Sequence, residues 1–140
     1  MADFCGAHHY MSMEQINRNF PWCDEYDNDS FTGTLHEKCA WSDEEYFKLD
    51  DEIYDLSTKY NDIDQLPRVL VWRLMRIFSY VMMTIGCHSN PNDGYKIENL
   101  NDEQLFDRRE RFQLVFEGFF EGEMPEKSTL NMAVLIENNQ

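Results

Sequence analysis

Pro67-Arg-Val-Leu-Val-Trp-Arg-Leu-Met-Arg-Ile-Phe-Ser-Tyr-Val-Met-Met-Thr-Ile-Gly86 is the stretch that decides the fold. Proline suits a first helical turn, where its missing N–H would have no intrahelical partner, and glycine suits the residue after a last turn. Between them Val69, Leu70, Val71, Trp72, Leu74, Met75, Ile77, Phe78, Tyr80, Val81, Met82, Met83 and Ile85 cover nearly the whole circumference. A helix apolar on all sides is one surrounded by other elements. The sequence therefore predicts a mainly α fold, a single compact domain of about four helices around a central apolar helix at 67–85. Arg73 and Arg76, one turn apart, are expected to reach acids on neighbouring helices.

Two further helices read outward from this one. Ser42 followed by Asp43, Glu44 and Glu45 has capping-box spacing, with carboxylates at the positive end of a helix dipole. Tyr46, Leu49, Ile53, Leu56 and Tyr60 then form one apolar stripe, leaving Glu44, Asp51 and Asp55 on other faces. Asn101 with Gln104 marks another start. Leu105, Phe112, Val115, Phe116 and Phe119 give that helix its apolar face, Asp107 to Arg111 a mixed charged collar, and Gly122 and Pro125 its end.

The segments between are read from turn chemistry. Residues 20–41 read as an ordered loop with a short hairpin at Phe31 to Leu35 around Gly33. Asn90 to Gly94 is a turn, followed by a short strand at Tyr95 to Ile97. Leu130 to Ile136 suits either a helix or a strand. Residues 1–19 read as an N-terminal extension, in part helical, and 20–140 as one globular domain.

Charge is distributed unevenly along this scaffold. The net charge is −15, yet residues 1–66 hold sixteen Asp/Glu against four Lys/Arg, whereas the rest hold eleven against eight. With 14% aromatic residues spread among the acids, this is no disordered acidic tail. A field of this size speeds the arrival of a cationic partner and costs stability through self-repulsion. Trp22-Cys-Asp-Glu-Tyr-Asp-Asn-Asp29 concentrates it, placing four carboxylates and two large aromatic rings within eight residues. Carboxylates steer, and flat rings anchor the centre of an interface.

Several classes are disfavoured. There is no Gly-rich phosphate loop, no nucleophile elbow and no His-Glu-x-x-His helix, so the chain reads as a non-enzyme. Cys5 with His8 and His36 with Cys39 have spacings that zinc could use, but no Cys-x-x-Cys pair anchors them, and no cofactor is expected. The first nineteen residues lack the basic start and apolar run of an export signal. The apolar part of 77–92 reads as too short to span a bilayer. A cytoplasmic protein with reduced cysteines and no membrane contact is the expectation.

Arg18-Asn-Phe-Pro-Trp-Cys-Asp-Glu-Tyr-Asp27, Ala40-Trp-Ser-Asp-Glu-Glu-Tyr-Phe-Lys-Leu49 and the run from Asn101 to Phe120 resemble small bacterial immunity proteins of contact-dependent growth inhibition systems. The likeness spans about residues 18–126. It implies a cytoplasmic inhibitor that binds the toxic C-terminal domain of a surface-exposed effector, often a nuclease, here expected to act on tRNA. The expected partner is thus a toxin domain with a basic surface, bound stoichiometrically by a monomer, without direct nucleic-acid binding. Asp24, Glu25, Asp27 and Asp29, with Asp51 and Asp55 in support, are expected to meet toxin cations, and Trp22 and Tyr26 to fill apolar gaps. The competing reading is an acidic mimic of nucleic acid, such as a phage-encoded inhibitor of a DNA- or RNA-binding enzyme. It would need carboxylates at regular intervals along an exposed edge.

Overall fold

The predicted capping box at Asn101 is complete, and at Ser42 the N-cap half forms while the Glu45 carboxylate goes to Arg18 and Lys48. Ser42 Oγ accepts the Glu45 amide at 3.2 Å, and Asn101 and Gln104 exchange side-chain to backbone bonds at 2.8 and 2.9 Å. The computed structural model describes residues 13–127, and these form the helices α1 (Glu14–Arg18), α2 (Phe31–Lys38), α3 (Asp43–Lys59), α4 (Arg68–Ser89) and α5 (Asp102–Glu121). Among the described residues there is no strand. Gly122 ends α5 with a left-handed φ of 92°, the conformation that glycine adopts without strain.

Helices α3 and α4 each pack against α1, α2 and α5, which bridge them. The core between is aromatic. Phe31 of α2 meets Trp41 and Tyr46 edge-on at 4.8 and 5.2 Å, and Phe112 of α5 stacks on Phe78 of α4 at 5.6 Å. Ile16 of α1 is wholly buried in the same cluster, so this short helix packs as part of the domain expected to begin at residue 20. Residues 1–12, and the segment Leu130 to Ile136 read as a helix or strand, lie outside the described residues.

The core carries its own charges. Arg108 donates to both carboxylate oxygens of Asp43 at 2.9 and 2.8 Å, and Arg111 to both of Asp50 at 3.0 and 2.9 Å. These guanidiniums are 2% and 1% exposed. Glu52 is buried too and accepts the Ile16 amide at 2.8 Å, which ties α1 to α3. The sequence suggests a charged collar on α5 and a dipole-facing acid at Asp43. Instead, residues 43, 50, 108 and 111 form two bidentate clamps between α3 and α5. Periodicity of apolar residues cannot register a buried pair made of two charged ones.

Helix α4 is the principal correction. Leu70, Leu74, Ile77, Val81, Thr84 and Ile85 are buried, but Trp72, Met75 and Met83 stand exposed. It flanks the bundle on one face rather than being enclosed by it. The helix also continues through Gly86 to Ser89, because Ile85 packs inward and His88 Nδ1 accepts the Ile97 amide at 2.9 Å, outweighing the weak helix propensity of glycine. Contrary to the reading of 77–92, α4 is long and apolar enough, by length and composition alone, to cross a membrane. In this fold its inner stripe is occupied by packing.

Two local readings fail for identifiable reasons. The expected hairpin at Phe31 to Leu35 is α2, because Ser30 Oγ accepts the Gly33 amide at 3.1 Å and caps a helix there. Tyr95 to Ile97 makes no strand. Its polar groups go instead to other elements, with Tyr95 Oη donating to the Leu35 carbonyl at 2.7 Å and the Ile97 amide to His88 Nδ1, and the next amide, of Glu98, donates to the Cys39 carbonyl at 2.8 Å.

Candidate functional site

The loop joining α1 to α2 is held at three points. Arg18, the last residue of α1, donates to Asp27 at 3.1 and 2.7 Å, to Glu45 of α3 at 2.8 Å and to Gln15 at 2.8 Å. Buried Asn19 accepts the Thr32 amide through Oδ1 at 2.8 Å, and its carbonyl accepts the Thr32 hydroxyl at 2.9 Å. Gly33 lets the loop backbone lie directly on α2. A Cβ at that position would stand 2.5 Å from the Asp27 carbonyl oxygen and 2.6 Å from Asn28. The Asp29 amide and the Arg18 guanidinium together hold the Asp27 carboxyl below the usual carboxylate range.

This frame turns Trp22 outward. Its ring is 61% exposed and lies on Trp72 of α4, itself 49% exposed, with centroids 5.8 Å apart and planes 18° from parallel. Phe20 meets the two edge-on at 5.8 and 6.0 Å. The Arg76 guanidinium covers Trp22 at 4.6 Å, and that of Arg73 covers Phe20 at 5.0 Å while donating to Asn17 Oδ1. Contrary to expectation, these arginines reach no acid among the described residues. Towards these arginines α1 presents the amide oxygen of Asn17, and the loop presents the rings of Phe20 and Trp22. Behind Trp22 a cleft of about 280 Å³ opens between Pro21, Tyr26, His36, Arg76 and Tyr80. Burial raises the pKa of the Tyr26 and Tyr80 hydroxyls above the ordinary phenol value.

Residues 18–122 match the family described as Immunity protein 41. The chain belongs to this family. The matched span holds the loop, the arginine clamps and α2 to α5 whole. No curated protein and no solved structure matches the chain. An immunity protein neutralises a cognate toxin, and families of this kind typically do so as inhibitors without catalysis. What must be explained in this immunity protein is therefore a binding surface.

The acids expected on that surface separate into groups. Asp24 and Glu25 are exposed beside Trp22, with no cation in ion-pair range among the described residues. Asp27 is committed to Arg18, and Asp29 faces Lys38 at 3.4 Å on the surface. Tyr26 is half-buried in the wall of the cleft rather than part of the core. Asp51 and Asp55 stand on the outer face of α3, where Asp51 pairs with Lys127 at 3.1 Å, and no hydrogen bond or ion pair joins them to the loop. The sequence missed Trp72, Arg73 and Arg76. Their signal was present as arginines one and four residues after a tryptophan, but it was hidden inside a run of apolar residues that looked like core.

Among the described residues no cluster of three or more His, Cys, Asp or Glu is arranged to hold a metal ion. His36 is exposed next to Glu37, and Cys39 caps α2 in a left-handed conformation, φ 52°. Cys5 and His8 lie outside the described residues.

Proposed function

We propose that this immunity protein binds, one to one and in the cytoplasm, the toxic C-terminal domain of a contact-dependent growth inhibition effector, and that the toxin is a nuclease acting on tRNA. The observation that carries the reading is the exposed Trp22–Trp72 stack with the uncommitted carboxylates Asp24 and Glu25 at its edge. Two stacked, rigid indoles already fixed in the free protein supply a hot-spot centre with little ordering left to do on binding. A nuclease that grips phosphates needs a cleft lined by lysine and arginine, and a chain of net charge −15 is complementary to it. Asp29, Asp51 and Asp55 contribute to the long-range field, while Asp24 and Glu25 are placed for direct contact. A phosphate-mimicking edge is less well supported, because Lys127 and Lys48 interrupt the acidic face of α3.

Co-expression with the toxin domain encoded directly upstream tests this. Wild-type protein should restore growth and form an equimolar complex, whereas Trp22→Ala should weaken that complex by about 30-fold or more, the loss typical of a hot-spot ring. Absence of both protection and complex formation would reject the reading. Association should also slow several-fold between low and high salt, since the Debye length shrinks from about 10 Å at 0.1 M to 3 Å at 1 M.

A further inference from the structure

The arginines of this protein are treated in two ways. Arg18, Arg108 and Arg111 are each matched to carboxylates of the same chain. Arg73 and Arg76 are matched to none among the described residues, although the chain has 27 acids for 12 bases. The Nε of each is buried without a hydrogen-bond partner. Arg73 uses one guanidinium nitrogen on Asn17, and Arg76 lies over the Trp22 face and beside Tyr80, with no hydrogen bond among the described residues. A partly desolvated guanidinium with unmet donors is poised to gain from a carboxylate, which forms shorter and stronger bonds than a neutral acceptor. It stands at the mouth of the cleft behind Trp22, where Pro21, Ile77 and the ring of Tyr80 supply apolar wall.

We propose that this cleft receives an acidic side chain of the toxin domain, bound to the Arg76 guanidinium, together with a neighbouring apolar side chain packed on Trp22 and Tyr80. The inference rests on the toxin-binding reading and gives that interface a sign pattern. Toxin cations meet Asp24 and Glu25 at the rim, and one toxin carboxylate meets Arg76 at the centre. Opposed signs at two adjacent points fix orientation, which a uniformly acidic surface cannot do. A nucleic-acid strand is the poorer occupant. Stacked rings beside arginines do suit bases, but Asp24, Glu25 and the net charge of −15 repel a polyanion, whereas one carboxylate within a cationic toxin surface is still drawn in.

The test titrates the purified upstream-encoded toxin domain into wild-type, Arg76→Met and Arg76→Glu full-length protein by calorimetry, at low and high salt. Arg76→Met retains the hydrophobic cover over Trp22, and near-UV circular dichroism reports whether the indole stack survives. The Met variant should bind about tenfold more weakly, and the Glu variant about a hundredfold or more, in keeping with truncated and reversed partners of an interfacial charge pair. The gap between them should narrow at high salt. Equal binding by the Met and Glu variants would overturn the carboxylate and leave Arg76 a mere cover for the ring. Binding of a single-stranded RNA oligonucleotide by wild type, lost in Arg76→Glu, would overturn it in favour of nucleic acid. If the wild type fails to bind the toxin domain, the underlying functional reading falls. If the wild type binds and both variants match it, only the present inference does. Arg73→Met, carried in parallel, should bind within about threefold of wild type because its guanidinium is already engaged by Asn17.

Discussion

Arg108 and Arg111 on α5 and Arg73 and Arg76 on α4 are pairs of arginines about one helical turn apart in the same small bundle, yet they live in opposite surroundings. The α5 pair is buried and each member is locked to a carboxylate of α3 by two short bonds. The α4 pair lies over indole and phenyl faces at the surface. The acidity of this chain thus divides in two. A fraction of it neutralises cations that hold the fold, and the remainder is left outside, beside cations that have been left unneutralised.

The largest effects are expected in the core. Asp50→Ala should destabilise the protein by about 3–5 kcal/mol in denaturant unfolding, since it removes the carboxylate that balances the charge of a buried guanidinium. Replacing the pair together, Asp50→Leu with Arg111→Met, should recover most of that loss, as buried pairs exchanged for apolar groups of similar volume generally do. Failure of the double variant to recover would mean that the clamp specifies packing and not only charge balance. Gly33→Ala comes next. Its methyl meets backbone atoms of Asp27 and Asn28, so it should cost about 1–3 kcal/mol, the range for overpacking, and weaken toxin binding in parallel.

From the outside the effects on stability are small. Arg76→Met should change unfolding free energy by at most about 1 kcal/mol, the worth of an exposed cation–π contact. A loss comparable to that of Asp50→Ala would erase the contrast between the two pairs. Smallest is the response to acid of the loop anchor. Burial opposes ionisation of Glu45, but Lys48 and Arg18 bring it below its ordinary range, and Asp27 lies low as well, through the Asp29 amide and Arg18. Groups with depressed pKa stabilise the fold above the unfolded carboxylate values, near pH 4, and lose that contribution as pH falls through the lower folded values. Melting temperature should therefore decline as pH falls below about 4, and the decline should be shallower in Asp27→Asn.

The long helices could be read from the sequence because apolar spacing and caps are local. Ser42, Asn101 and Gly122 announce their helix ends with atoms only a few residues away. The surroundings of α4 could not be read in this way. Leu74 and Met75 look equivalent in sequence, and only the positions of α1, α2 and α5 decide that one is buried and the other exposed. Helix α2 was missed because Thr32, Gly33 and Thr34 have weak helical propensity, which the Ser30 cap and burial of Phe31 and Leu35 override. The loop at 22–29 stands out in the sequence as a candidate by its mixture of acids and rings. Its internal division between Asp27, which braces the backbone, and Asp24 and Glu25, which face solvent, follows from the distant partner Arg18.

Gly33 has a consequence for how this surface can change. The loop is seated through main-chain atoms of residues 27 and 28 against a glycine, so its path does not depend on which side chains it carries at its tip. Positions 22, 24 and 25 can be exchanged while the backbone beneath them stays where it is. If the proposed interface holds, a lineage facing a new toxin can repaint these positions one at a time, without refolding the platform that displays them.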